Sequence, residues 1–103
     1  MIGKLDPIRS TKLTQASKGR SCVNCGADDG TIVRAHYSGI RALSYGKGRG
    51  IKGHDVIAAD LCARCHNRLD QYTDGNAIDQ SEQFLHLCAL TLVRDIRDGV
   101  YKI

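Results

Sequence analysis

The clearest periodic pattern lies towards the carboxyl end, where Phe84, Leu87, Cys88, Thr91, Leu92 and Ile96 recur at steps of three and four. That spacing gathers them on one side of a helix predicted from about Ser81 to Asp98, and Gly99 stands where a left-handed residue would end it. A shorter helix is predicted from about Arg64 to Tyr72, closed by the turn-forming run Thr73-Asp74-Gly75-Asn76. Two other stretches read as strands. Thr31–Tyr37 is β-branched at its start and aromatic at its end, and Asp55–Leu61 is a second short run of that kind. Period-two alternation would place Ile32, Arg34 and His36 on one face of the first strand and Val33, Ala35 and Tyr37 on the other.

Between the strands, residues 38–53 are rich in glycine and positive charge, with Arg41, Lys47, Arg49 and Lys52 spaced along them. A loop of this length and composition is usually functional or disordered. At the amino end, Asp6-Pro7 reads as a cap and first helical residue, opening a short basic helix or arm to about Ser17 that Lys18-Gly19-Arg20 breaks. The predicted organisation is a basic arm over residues 1–20 and one small α+β domain over 21–103.

Charge sharpens this picture. Residues 1–52 hold ten Lys/Arg against three Asp, whereas residues 53–103 hold five against eight Asp/Glu. A basic half is the footprint expected of a polyanion partner. No apolar run approaches a membrane span, and no secretory leader is evident at Met1, so a cytoplasmic location and no membrane partner are expected.

The cysteines carry the strongest chemical signal. Cys22-Val-Asn-Cys25 and Cys62-Ala-Arg-Cys65 are two Cys-x-x-Cys pairs, and Cys88 stands alone. In a reducing compartment, four thiolates in two close pairs suit a tetrahedral structural zinc. Cys62–His66 also spells the attachment motif of c-type haem, but Met1 is the only methionine and the first pair would then have no role. His66 follows the last cysteine, and Asp70 lies one helical turn on, so imidazole and carboxylate share a helix face. Such a pair suits a divalent cation with open positions, Mg2+ or Mn2+ first. Arg64 and Arg68 flank it and, with Arg34 and the loop cations, are candidate phosphate contacts. His36, lying between the cysteine pairs, is the candidate general base.

In this order of parts, the chain resembles the HNH, or ββα-metal, nuclease superfamily: Cys-x-x-Cys, a strand ending in histidine, a loop, a second strand, then Cys-x-x-Cys-His opening a helix. More narrowly it is similar to a family of small nuclease-like proteins of lambdoid phages and prophages. The matching stretches are Ala35-His36, Asp55-Val56-Ile57-Ala58, Cys62–His66 with Asp70, and Gly99-Val100-Tyr101-Lys102. It is similar also to phage Holliday-junction endonucleases.

The resemblance implies a zinc-stabilised ββα-metal domain with an added long carboxyl-terminal helix. It implies His36 as base, His66 and Asp70 as ligands of a catalytic cation, and Cys22, Cys25, Cys62 and Cys65 as the zinc set. The implied activity is metal-dependent hydrolysis of DNA, branched DNA included, in phage recombination or DNA processing. One departure stands out. Many HNH enzymes carry an acid or a second histidine just before the base, and here that position is Ala35. Asp70, or else Asp55 or His54, would have to complete the ligand set. The alternative is a non-catalytic zinc module that binds nucleic acid or a recombination partner. The long helix fits either the interior of one subunit or the seam of a homodimer.

Overall fold

The structure is a computed structural model describing residues 8–45, 47, 53–71 and 77–100. The expected Asp6-Pro7 helix start, Arg49, Lys52, the turn at 73–76 and Tyr101-Lys102 lie outside the described residues.

The elements run in the order α1 (Thr11–Ala16), β1 (Val33–His36), a single 3₁₀ turn (Ala42–Tyr45), β2 (Ala58–Leu61), α2 (Ala63–Gln71) and α3 (Ala77–Arg97). This is a small α+β arrangement with a two-stranded antiparallel sheet, in which Val33 pairs with Leu61 and His36 with Ala58. All four residues of β2 are buried. A strand covered on both sides reads as an apolar run, so its period carries no face information. In β1 too, burial does not separate the two expected faces: Arg34 and Ala35 are adjacent and both buried, while Val33 is exposed.

The long helix lies on β2 and is longer than its pattern implied, starting at Ala77 rather than near Ser81. Ile96, expected on its apolar stripe, is instead exposed, and the buried position beside it is Asp95, held by arginines; the end of the helix follows the prediction. Gly99 takes φ +73°, its N–H donates to Ile96 O at 3.1 Å, and the Val100 N–H donates to Asp95 O at 2.9 Å. This is the Schellman arrangement that only a left-handed residue completes cheaply. Phe84, Leu87, Leu61 and Leu69 meet in the core, and Tyr37 stands edge-on to Phe84 at 5.4 Å between ring centroids. Among the described residues no helix is long and apolar enough to cross a membrane.

From Ile8 to Arg20 the expected arm is joined to the rest of the fold. Ser10 caps α1, its hydroxyl accepting the Leu13 N–H at 3.2 Å, and Leu13 is buried. Beyond α1, Ser17 donates to Asp60 at 2.5 Å. Arg20 reaches Asp60 at 3.1 Å, Asp95 at 2.9 Å and Asp98 at 2.9 Å. These bonds belong to a network that sequence reading missed. The Asp60 and Asp95 side chains are wholly buried. Asp95 also takes the buried Arg34 guanidinium at 2.9 Å, and Asp60 takes Arg94 at 3.1 Å.

Arg34 is therefore not a phosphate contact. Its side chain is fully covered, its Nε donates to Asp55 O at 2.6 Å, and its fork is spent on Asp95. Burying a guanidinium is tolerable only with such partners. Asp95→Ala would strand it, and a loss of about 3 kcal/mol or more in urea unfolding is expected. Lys12→Ala, at an exposed position of α1, should change stability by less than about 0.5 kcal/mol.

Candidate metal and catalytic site

The site is built on two tight turns. In the first, the Cys22 N–H donates to Ala27 O at 2.8 Å and the Gly26 N–H to Cys22 O at 2.9 Å, with Gly26 at φ +80° closing the turn. In the second, Cys62 directly precedes α2 and its carbonyl accepts the His66 N–H at 2.9 Å, so Cys65 falls in the first helical turn. The four sulfurs all lie within 4.8 Å of one another. Cys25 Sγ and Cys62 Sγ are 3.7 Å apart. A zinc tetrahedron with sulfur at about 2.3 Å has edges of about 3.8 Å, so the spacing and the soft donor set both fit that ion.

Asn24 Nδ2 donates to Cys65 Sγ at 3.4 Å, and Asn24 is itself held by Gln83 of α3 at 3.1 Å. Such outer partners orient ligands and steady their charge. Burial alone would raise the Cys22 thiol, but backbone N–H groups, that of Cys25 foremost, bring it down to about 7. Cys65 is pushed up to about 12, by burial first and by the neighbouring sulfurs. Cys88 lies apart, on the buried face of α3, with its thiol raised to about 12 by burial.

Turning α2 from this cluster brings His66 and Asp70 together. His66 Nε2 sits 3.0 Å from Asp70 Oδ2, and Ser38 Oγ donates to Asp70 Oδ1 at 2.5 Å. The Asp70 bond raises the His66 pKa against the opposing effect of burial. Burial opposes ionisation of Asp70, yet His66, Ser38 and Lys47 outweigh it and hold the carboxyl below its usual range.

His36 ends β1, and its Nε2 lies 2.6 Å from Asp55 Oδ1. The other oxygen of Asp55 accepts the Ser10 N–H at 2.5 Å, and Arg9 stands 3.5 Å away. Burial works against the Asp55 charge, but His36, the Ser10 amide and Arg9 prevail and lower its pKa. An imidazole that gives its Nε2 proton to a carboxylate keeps Nδ1 free to accept one. His36, His66 and Asp70 line one open cavity of about 400 Å³, together with Ser38, Lys47 and Thr14 of α1.

Not every candidate converges there. Arg41, Arg64 and Arg68 are exposed outside the cavity lining, and Arg34 is buried as described. His54 Nδ1 accepts the Ile8 N–H at 2.8 Å, tying it to the amino-terminal segment. Ala35 is buried opposite Ala59, so the residue just before His36 brings no carboxylate to the cavity. Sequence reasoning considered Asp55 only as a metal ligand and missed it as the partner of His36. Its position just ahead of the strand that pairs with the His36 strand was the available signal. Ser38 had none.

The chain matches no family model, no curated protein and no solved structure.

Elemental analysis of the purified protein should find one zinc per chain, and Cys62→Ser or Cys65→Ser should lose it and unfold at lower denaturant. Chelation should unfold the native protein, because metal binding free energy is folding free energy in such domains. For Asp55 the lowered folded pKa fixes the sign: its contribution is complete above the unfolded value of about 3.9 and is lost as pH falls through the folded value. Acid titrations followed by circular dichroism should show that Asp55→Asn removes part of this acid-side loss of stability.

Proposed function

We propose that this protein is a zinc-stabilised, metal-dependent DNA endonuclease of the HNH, or ββα-metal, type, acting in phage recombination or DNA processing. The observation that carries the reading is the meeting of His36, His66 and Asp70 on one cavity, from two elements whose residues are far apart in sequence. The strand–strand–helix order bracketed by two cysteine turns agrees with the sequence resemblance, and the basic first half of the chain suits a polyanion.

In this reading His36 Nδ1 takes a proton from water as the water oxygen attacks phosphorus, and Asp55 holds the ring through Nε2 and steadies the imidazolium that forms. The phosphorus–oxygen bond to the leaving nucleotide breaks in the same displacement. His66 and Asp70 fit a divalent cation by donor chemistry: one imidazole nitrogen and one carboxylate on neighbouring turns, with room in the cavity for water. A cation there supplies charge stabilisation for the pentavalent phosphorus and the leaving oxygen. Lys47 offers a phosphate a positive partner at the cavity wall, and Arg41, Arg64 and Arg68 extend that charge outside it, positioning the backbone rather than reading bases.

The second reading is a zinc module that binds nucleic acid without cutting it, and Ala35 favours it by leaving the cation one protein ligand short. Nicking of supercoiled plasmid with Mg2+ or Mn2+ separates the two. Cleavage is expected, with His36→Ala and His66→Ala each slower by about 10²-fold or more. A His36→Ala variant as fast as the native protein would remove His36 as base. A salt-dependent shift of DNA without cleavage under any divalent cation would decide for the binding module.

A further inference from the structure

The long helix has a second face that the fold leaves uncovered. α3 buries Phe84, Leu87, Cys88, Thr91 and Asp95 against the sheet. On the opposite side Glu82, His86, Ala89, Val93 and Ile96 follow at steps of four and three, all exposed. Val93 is 44% exposed, Ile96 37% and the adjoining Leu90 39%. This four-three spacing is that of a helix meeting another helix along a seam, with small Ala89 at its middle allowing close approach.

The ends of the face carry opposite charge. Glu82 lies in the amino-terminal third of α3, and Arg97 at its last turn. Beside the amino-terminal end, Ile40, Ile78, Leu85 and Tyr37 form an apolar groove of about 360 Å³, rimmed by Glu82 and Arg41, with Ile78 70% exposed.

We propose that two copies of this chain form a symmetric dimer by laying the exposed faces of α3 antiparallel. In that pairing Arg97 of each helix approaches Glu82 of the other, and Ile96 of each comes to the groove beside Ile78 and Leu85. A parallel pairing would set Glu82 against Glu82 and Arg97 against Arg97, which like-charge repulsion disfavours. The helix dipoles also favour the antiparallel sense. The contact is self-complementary, so the two-fold axis closes it and no chain of subunits follows. The contact is confined to one helix face with a groove at each end, where a standard interface buries about 800 Å² per partner. Association is therefore reversible and concentration-dependent. This inference does not depend on the nuclease reading.

Sedimentation velocity of the metal-loaded full chain over a concentration series tests it, with far-ultraviolet circular dichroism to confirm that each variant folds. The native protein should pass from monomer to dimer. Val93→Glu should weaken the dimer by about tenfold or more, as one buried charge requires. Glu82→Arg and Arg97→Glu, both at exposed positions, should each weaken it, and the double variant E82R/R97E should recover it. A monomer at every concentration overturns the proposal, as does a dimer indifferent to Val93→Glu. Failure of the double exchange to recover what the single ones lose overturns the antiparallel geometry.

Discussion

The four sulfurs that lie within 4.8 Å of one another fix the geometry on which the rest of the molecule depends. α2 has only nine residues, too few to hold a helix in water by itself, where about 12–15 are marginal. What starts it is the turn at Cys62–Cys65, and what aims it is the sulfur cluster that binds that turn to Cys22–Cys25. His66, one residue past Cys65, takes its direction from the same cluster, and Asp70 follows by helical repeat. Joining the turns also closes the long stretch from Cys25 to Cys62, whose loop entropy a thin core would otherwise have to offset alone.

A second constraint works from behind the sheet. Two carboxylates without solvent, Asp60 and Asp95, could not persist in a core of this size without cations, and Arg20, Arg34 and Arg94 supply them. The partners come from the segment after α1, from β1 and from α3, so neutralising the charges also fixes how those elements sit. Arg34 links this network to the site. Its Nε holds the Asp55 carbonyl at 2.6 Å while the Asp55 carboxylate holds His36 and the Ser10 amide. Asp55 is thus restrained by backbone and side chain together, which is what the orienting role proposed for it beside His36 would require.

What was legible in the sequence followed local rules. The cysteine pairs, the helix carrying His66 and Asp70, and the Gly99 stop rest on spacing within a few residues, and all lie where spacing put them. What was not legible required knowledge of who faces whom. Arg34 looks like any cation on a half-polar strand, and only the approach of Asp95 from a helix far along the chain makes it a core residue. Asp95 itself breaks the apolar stripe of α3 and reads as surface. The amino-terminal segment looked like an arm because its composition is polar, yet the Ser10 amide, Ser17 and Arg20 are spent on buried carboxylates. Asp55 failed for the same reason, since strand register had to be known before its carboxylate could be set against His36.

The two donor sets divide their chemistry by kind. Four thiolates saturate a tetrahedral ion and leave it no open position, so a cation held by Cys22, Cys25, Cys62 and Cys65 cannot present water to a substrate. In the reading proposed above, hydrolysis would fall instead to the nitrogen and oxygen donors on the neighbouring cavity, which suit a harder cation and would leave most of its positions to solvent or phosphate. His66 and Asp70 already face each other at 3.0 Å, and Ser38 holds Asp70 in that orientation. Little side-chain entropy would then remain to be lost if those two side chains held a divalent cation. That economy would matter for the proposed cation, to which Ala35 offers no third protein ligand, because two ligands give fewer contacts with which to offset the ordering of side chains.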